Sequence, residues 1–302
     1  MQTERISGAP ALHLEIDGPA PASPAAAAPS VPTLCLLHGF GGSARNWRPQ
    51  MRALRTRARV AAFDVRGHAR SEAPGEESAY APACFVDDVG RVLDTLGVPR
   101  QPRVRRDAAV VGGLSMGAGI AARFAIAHPE RVRGLVLAAP APGARGAGDA
   151  DAGAARQRDW ALAFADAIER DGLEAAGTRY AWGPESGLDP AAAQMVRLGF
   201  LEHAPHAIAS TLRRLLAQQP GWREFADALR PHRLPLLVVV GARDRVSREA
   251  SEQLAAALPD TMLVVVPDAG HVVNLEARAP VSEALAHFLD ALPDGATPES
   301  EP

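Results

Sequence analysis

The run DAAVVGGLSMGAGIAARFAIAHPERV, residues 107–132, changes its periodicity at the middle. Up to Leu114 it is a short apolar run of strand length, and from Met116 it reads as a helix, so Ser115 stands on the turn between them. A nucleophile on such a turn must accept a strained backbone, and small neighbours such as Gly113 and Gly117 let strand and helix approach without a clash. A merely exposed serine on a glycine-rich turn would share this pentapeptide. The rest of the chain must therefore supply the chemistry.

Working outward, short β-branched runs alternate with longer amphipathic segments. TLCLLHG (33–39), NWRPQMRALRTR (46–57), RVAAFDVRG (59–67) and CFVDDVGRVLDTLG (84–97) precede the turn, and RGLVLAAPAP (133–142) follows it. This alternation predicts a parallel sheet with crossover helices, and near-continuous apolar runs suit strands buried on both faces. The rhythm stops between about Gly143 and Arg233, where helical character and scattered aromatics such as Trp160, Phe164 and Tyr180 predict a helical cap. It resumes with RLPLLVVVGARD (233–244) and TMLVVVPDAGH (261–271), each followed by an amphipathic helix. The expected organisation is a core of 1–142 and 234–302 with a cap of 143–233. Leu12 to Asp17 reads as a first strand, the Ala/Pro-rich 18–32 as an exposed loop, and 293–302 as a disordered tail.

At 302 residues, 47% hydrophobic and 22% charged, the chain can bury a full core. A formal net charge of −3 offers no positive excess for nucleic acid or an anionic membrane, so a small-molecule partner is expected. Cys35 and Cys84 form neither a CxxC unit nor a disulfide framework and read as packing residues. The N-terminal MQTERISGAP lacks the parts of a secretory signal, which makes the cytoplasm the expected compartment. Ala108 to Ala122, the longest uncharged apolar stretch, is too short and too rich in glycine for a membrane span. Oligomeric state is not legible in this pattern.

A serine hydroxyl needs a base within hydrogen-bond reach, usually a histidine oriented by a carboxylate. His271 directly follows the last apolar strand, where a loop would project its imidazole over the carboxyl edge of the sheet. Asp244 ends the preceding strand and would meet it there, although a helix cap or a surface pair with Arg243 or Arg245 would also explain an aspartate at this position. Asp149 or Asp151 is the alternative acid. His13, His128, His203, His206, His232 and His287 read as solvated or structural. The glycine-rich HGFGGS (38–43) follows the TLCLL strand and suits an oxyanion site, with the amides of Phe40 and Met116 as the expected donors. No lysine-serine or lysine-threonine pair follows it, which argues against a phosphate cradle. DVRGHARS (64–71) has a single histidine and no metal-ligand spacing, so hydrogen bonding that fixes a corner is expected of it, not metal binding.

With Ser115, Asp244 and His271 in that order, and LLHGFGGS and FDVRGHARS ahead of them, the chain resembles the α/β-hydrolase superfamily from about Thr33 to Leu292. The resemblance implies an α/β-hydrolase fold with a mostly parallel sheet and a cap inserted after the sixth strand. Serine at the elbow departs from the aspartate of haloalkane dehalogenases and epoxide hydrolases. The chain looks most like small carboxylesterases, enol-lactonases, cofactor-free haloperoxidases and C–C hydrolases. Ala69 stands where relatives commonly have glycine in GHGxS.

APHAIASTLRRLLAQQPGW (204–222) also looks like menaquinone-pathway synthases that eliminate pyruvate, although their elbow usually reads SMGGR where this chain has Ser115-Met116-Gly117-Ala118-Gly119. The expected activity is hydrolysis of a small ester, thioester or lactone without a cofactor. A pyruvate-eliminating lyase and a weakly catalytic small-molecule receptor are the alternatives.

Overall fold

The computed structural model describes residues 1–19, 31–140, 150–186 and 188–293. Its eight strands are β1 (Gln2–Ile6), β2 (Leu12–Asp17), β3 (Thr33–Leu37), β4 (Arg59–Asp64), β5 (Ala109–Leu114), β6 (Val132–Ala138), β7 (Leu236–Gly241) and β8 (Thr261–Val266). They form one sheet in the order β1-β2-β4-β3-β5-β6-β7-β8. β1 and β2 run antiparallel to their neighbours, and every other pairing is parallel.

Burial on both faces explains why the central strands read as unbroken apolar runs. Successive residues of β3 enter opposite layers: Cys35 and Leu37 join one buried cluster, Leu34 and Leu36 the other. The first layer holds α2 (Pro82–Thr95), α3 (Met116–Ala127) and α8 (Arg245–Ala257); the second holds α1 (Arg48–Leu54) and α10 (Arg278–Ala291), with the single turn α9 (Val273–Glu276) at its edge. The chain reverses direction of sheet growth between β3 and β5. Their carboxyl ends therefore flank a crevice, where ligands settle in open α/β sheets.

Between β6 and β7 lie α4 (Ala150–Tyr180), α5 (Pro190–Phe200), α6 (Pro205–Arg214) and α7 (Trp222–Leu229). α4 packs on α5 and α6, whereas α7 packs against α3 and α8. The insertion is thus helical, but its last helix lies in the layer flanking the sheet rather than in the cap. That placement follows from sequence: Trp222, Phe225, Ala226 and Leu229 lie three or four apart and form one buried stripe.

β1 was not foreseen. Four of its five residues are exposed, and it pairs through its backbone with β2, Gln2 opposite Ile16 through Ile6 opposite Leu12. An edge strand without a buried face leaves no period-two apolar signal to read. Residues 20–30 of the expected loop, 294–302 of the expected tail, and 141–149, where the cap was expected to begin, lie outside the described residues. No helix among the described residues is long and apolar enough to cross a membrane.

Candidate active site

Ser115 sits between β5 and α3 with φ 52° and ψ −109°, in the left-handed half of backbone space that a non-glycine residue rarely occupies. The surroundings enforce this. A Cβ on Gly113 would run into the backbone of Gly117, and one on Gly117 into the carbonyls of Leu37 and His38, so glycines at both positions let β5, α3 and β3 close up. The Ser115 amide donates to Ala138 O at 2.9 Å, anchoring the turn to β6.

His271 Nε2 lies 3.0 Å from Ser115 Oγ, and His271 Nδ1 lies 2.6 Å from Asp244 Oδ2. The tautomer that satisfies both contacts carries its proton on Nδ1, donates to Asp244 and accepts from the serine hydroxyl. Asp244 also caps α8 by accepting from Ser247 N at 3.2 Å. It is at once a helix cap and the partner of an imidazole, and each of its oxygens serves one role. Burial opposes its ionisation, but the hydrogen bond and charge of His271, with the hydroxyl and amide of Ser247, hold the carboxyl below its ordinary value. Asp149 lies outside the described residues, and of Asp151 only the helical backbone is described.

The loop carrying His271 is held by a residue that sequence reading passed over. Glu276 accepts from Gly270 N at 2.8 Å and from Val272 N at 3.0 Å, one carboxylate oxygen on each side of the histidine. Arg243 reaches Glu276 at 3.3 Å and Asp189 of the cap at 3.7 Å. A glutamate five residues after the histidine has no periodic signature; only its clamp on two amides identifies it.

Phe40 lies in the loop after β3 and lines the crevice with Ser115, while Met116 opens α3. The Met116 amide is one of the first-turn N–H groups that have no partner inside their helix. His38, at the base of that loop, is fully buried: its Nδ1 donates to Gly39 O at 2.8 Å and its Nε2 accepts from Val65 N at 3.1 Å. This arrangement requires the neutral ring, and burial pushes His38 down to about 4. Asp64 accepts from Ala44 N and from Arg70, and the Ser71 hydroxyl bonds to Asp64 O. DVRGHARS therefore fixes a corner through hydrogen bonds.

Between the sheet edge and the cap is a pocket of about 460 Å³. Ser115, His271 and Asp244 line its floor, and Trp160, Phe164 and Tyr180 of α4 contribute an aromatic wall. Phe164 stacks on Tyr180 and on Phe200, with ring centroids 5.0 and 5.7 Å apart. A hydroxyl, an imidazole and a buried carboxylate in hydrogen-bond sequence, beside a glycine-rich loop and under a mainly apolar roof, have the arrangement that acyl transfer requires.

The pattern of the α/β hydrolase fold matches residues 32–277. A Bacillus subtilis protein named for 2-succinyl-6-hydroxy-2,4-cyclohexadiene-1-carboxylate synthase activity is 27% identical, over 85% of this chain and 89% of that one. A Variovorax paradoxus protein named for carbamate hydrolysis is 30% identical, over 92% of this chain and 96% of that one. The crystal structure of the enol-lactonase from Burkholderia xenovorans superposes with a TM-score of 0.72 at 25% identity, covering 93% of this chain and 97% of the other.

Proposed function

This chain belongs to the α/β hydrolase fold family, a family of hydrolase-type enzymes, and from that premise we propose that it cleaves a small carboxylic ester, thioester or lactone through an acyl-enzyme. One observation carries the reading: the unbroken contact from Ser115 Oγ to His271 to Asp244, at 3.0 and 2.6 Å. Ser115 attacks the carbonyl while His271 takes its proton, and Asp244 holds the ring and stabilises its cationic form. The amides of Phe40 and Met116 bind the oxyanion. His271 returns the proton to the leaving group and then activates water, which releases the acid. None of these steps calls on a cofactor.

The test is labelling with a fluorophosphonate, read by peptide mass. Modification at Ser115 together with turnover of p-nitrophenyl esters supports the proposal. Absence of both would remove it.

The Bacillus subtilis relative favours a second reading, a pyruvate-eliminating lyase. Against it stands Gly119, which offers no side chain to bind a substrate carboxylate and around which Gln219 packs so closely that a Cβ would meet its amide. Pyruvate release from the corresponding pathway intermediate separates the two readings.

A further inference from the structure

We infer that the pocket takes an ester whose enclosed part is uncharged and apolar, and that it rejects carboxylate-bearing substrates. This deepens the proposed hydrolase reading and rests on it. None of the described residues lining the pocket is an arginine, and the chain contains no lysine at all. The acidic side chains that face it, Asp244 and Glu276, are carboxylates already engaged with His271 and with the amides beside it.

Among the arginines adjacent in sequence to lining residues, Arg45, Arg197 and Arg243 are held in ion pairs, Arg197 with Glu174 at 2.7 Å, and none of the others lines the pocket. Arg45, next to Asn46, holds Glu202 through contacts of 2.7 and 2.9 Å, and Arg243, next to Asp244, is shared between Glu276 and Asp189. The roof is mainly apolar, with Trp160 and Phe164 from α4, Leu188 before α5, and Met195 and Val196 on it, and its polar members Gln157, Tyr180 and Ser186 are uncharged. A carboxylate entering such a space loses hydration, meets no arginine among the described lining residues, and lies near like charge. An alkyl or aryl group gains from the same burial.

The experiment compares three substrates with one leaving group and nearly one length: p-nitrophenyl hexanoate, mono-p-nitrophenyl adipate, and the methyl ester of that adipate. The methyl ester separates charge from bulk. The hexanoate and the methyl adipate are expected within about tenfold of each other in kcat/KM, with the free adipate about 100-fold below both. A free adipate hydrolysed within tenfold of its methyl ester would overturn the inference.

Failure of the hydrolase reading is recognised separately, by an unreactive Ser115. In that case calorimetry on Ser115→Ala still decides the question of charge. Tighter binding of 4-phenylbutyramide than of 4-phenylbutyrate supports an uncharged ligand, and equal or tighter binding of the carboxylate overturns it.

Discussion

Two groups of imidazoles flank the glycine-rich loop after β3, and they are built in opposite ways. His271 stands on a loop with its side chain 38% exposed, one nitrogen on a carboxylate and the other on a hydroxyl. His38, His68 and His203 are buried and packed ring against ring, with centroids 5.2 Å apart between the first two and 5.0 Å between the last two. His68 directs Nδ1 to Arg66 O and leaves a buried Nε2 with no partner among the described residues. Burial depresses all three, and the mutual proximity of the rings adds to the effect on His68. The contrast teaches that the imidazole proposed to handle protons is given a carboxylate and a route to solvent, whereas burial holds the packed imidazoles toward the neutral form.

The largest test of that contrast removes what His271 serves. Ser115→Ala deletes one oxygen at a backbone position that alanine tolerates no worse than serine, so the fold should persist while kcat falls by roughly 10⁴–10⁶. Circular dichroism and ester turnover on the same preparation check it. A loss of only a few-fold would mean that another group attacks. Asp244→Asn comes next: it would favour the wrong imidazole tautomer and lower kcat by roughly 10³–10⁴. The α8 cap survives this change because an asparagine oxygen can still accept from Ser247 N. If Asp149→Asn or Asp151→Asn were the damaging variant instead, the acid would have to be reassigned.

The buried group predicts a stability effect rather than a rate effect. His38 is ordinarily half-protonated near 6.5 and in the fold near 4, so on acidification the unfolded chain takes up the proton first. Its contribution is complete above pH 6.5 and is lost as pH falls from there through about 4, roughly 3 kcal/mol in all. Asp64 and Asp244 also lie below their ordinary value of 3.8, so their contributions are lost only at lower pH. Urea unfolding at pH 7.5 and at 4.5 should differ by about 2–3 kcal/mol more in the parent than in His38→Gln. Identical differences in the two proteins would show that the ring is not kept neutral.

Much of this was legible in the sequence, for reasons that particular residues make clear. Ser115, Asp244 and His271 could be placed because each lies within five residues of the end of an apolar strand, and parallel strands end at a common edge. β1 escaped because it is exposed along nearly its whole length. α7 was assigned to the cap because helical period does not tell which layer a helix covers. Glu276 escaped because a single glutamate clamping two nearby amides leaves no periodic signature, and the histidine stack because its contacts join segments far apart in the chain. His203 joins residues 199–203 of the cap to Gly42, and no local pattern encodes a pairing at that separation.

His203 sharpens the comparison because it belongs to the packed group yet touches the loop that carries Phe40. Its Nε2 lies 3.1 Å from Gly42 O and its Nδ1 3.0 Å from Phe200 O; the neutral ring has one N–H to donate, and from Nε2 it ties the cap to the loop. Phe200 packs so closely on Gly41 that a Cβ there would enter its ring. His203→Ala should loosen the loop and lower kcat about tenfold, with KM changing less, because the Phe40 amide, the oxyanion donor proposed on that loop, is displaced more than the pocket walls. Recovery in His203→Asn, which restores a donor, would separate this bridge from simple loss of bulk. An unchanged kcat with a raised KM would assign His203 to the pocket instead.

The smallest expected effect lies beside His68. Ala69 has φ +46°, in a turn closed by Ser71 N donating to His68 O at 3.1 Å and by Arg70 N donating to Asp64 Oδ2 at 3.1 Å. Left-handed backbone costs a non-glycine L-residue about 1–2 kcal/mol. Glycine avoids that strain but loses about 0.5–1 kcal/mol more in chain entropy on folding. Ala69→Gly should therefore stabilise the protein by about 1 kcal/mol or less, with kcat unchanged because the turn's hydrogen bonds come from other residues. Thermal unfolding checks the sign. A lower midpoint would mean that the alanine methyl makes a packing contact worth more than the strain it brings, and the histidine stack would then depend on that methyl as well as on its own rings.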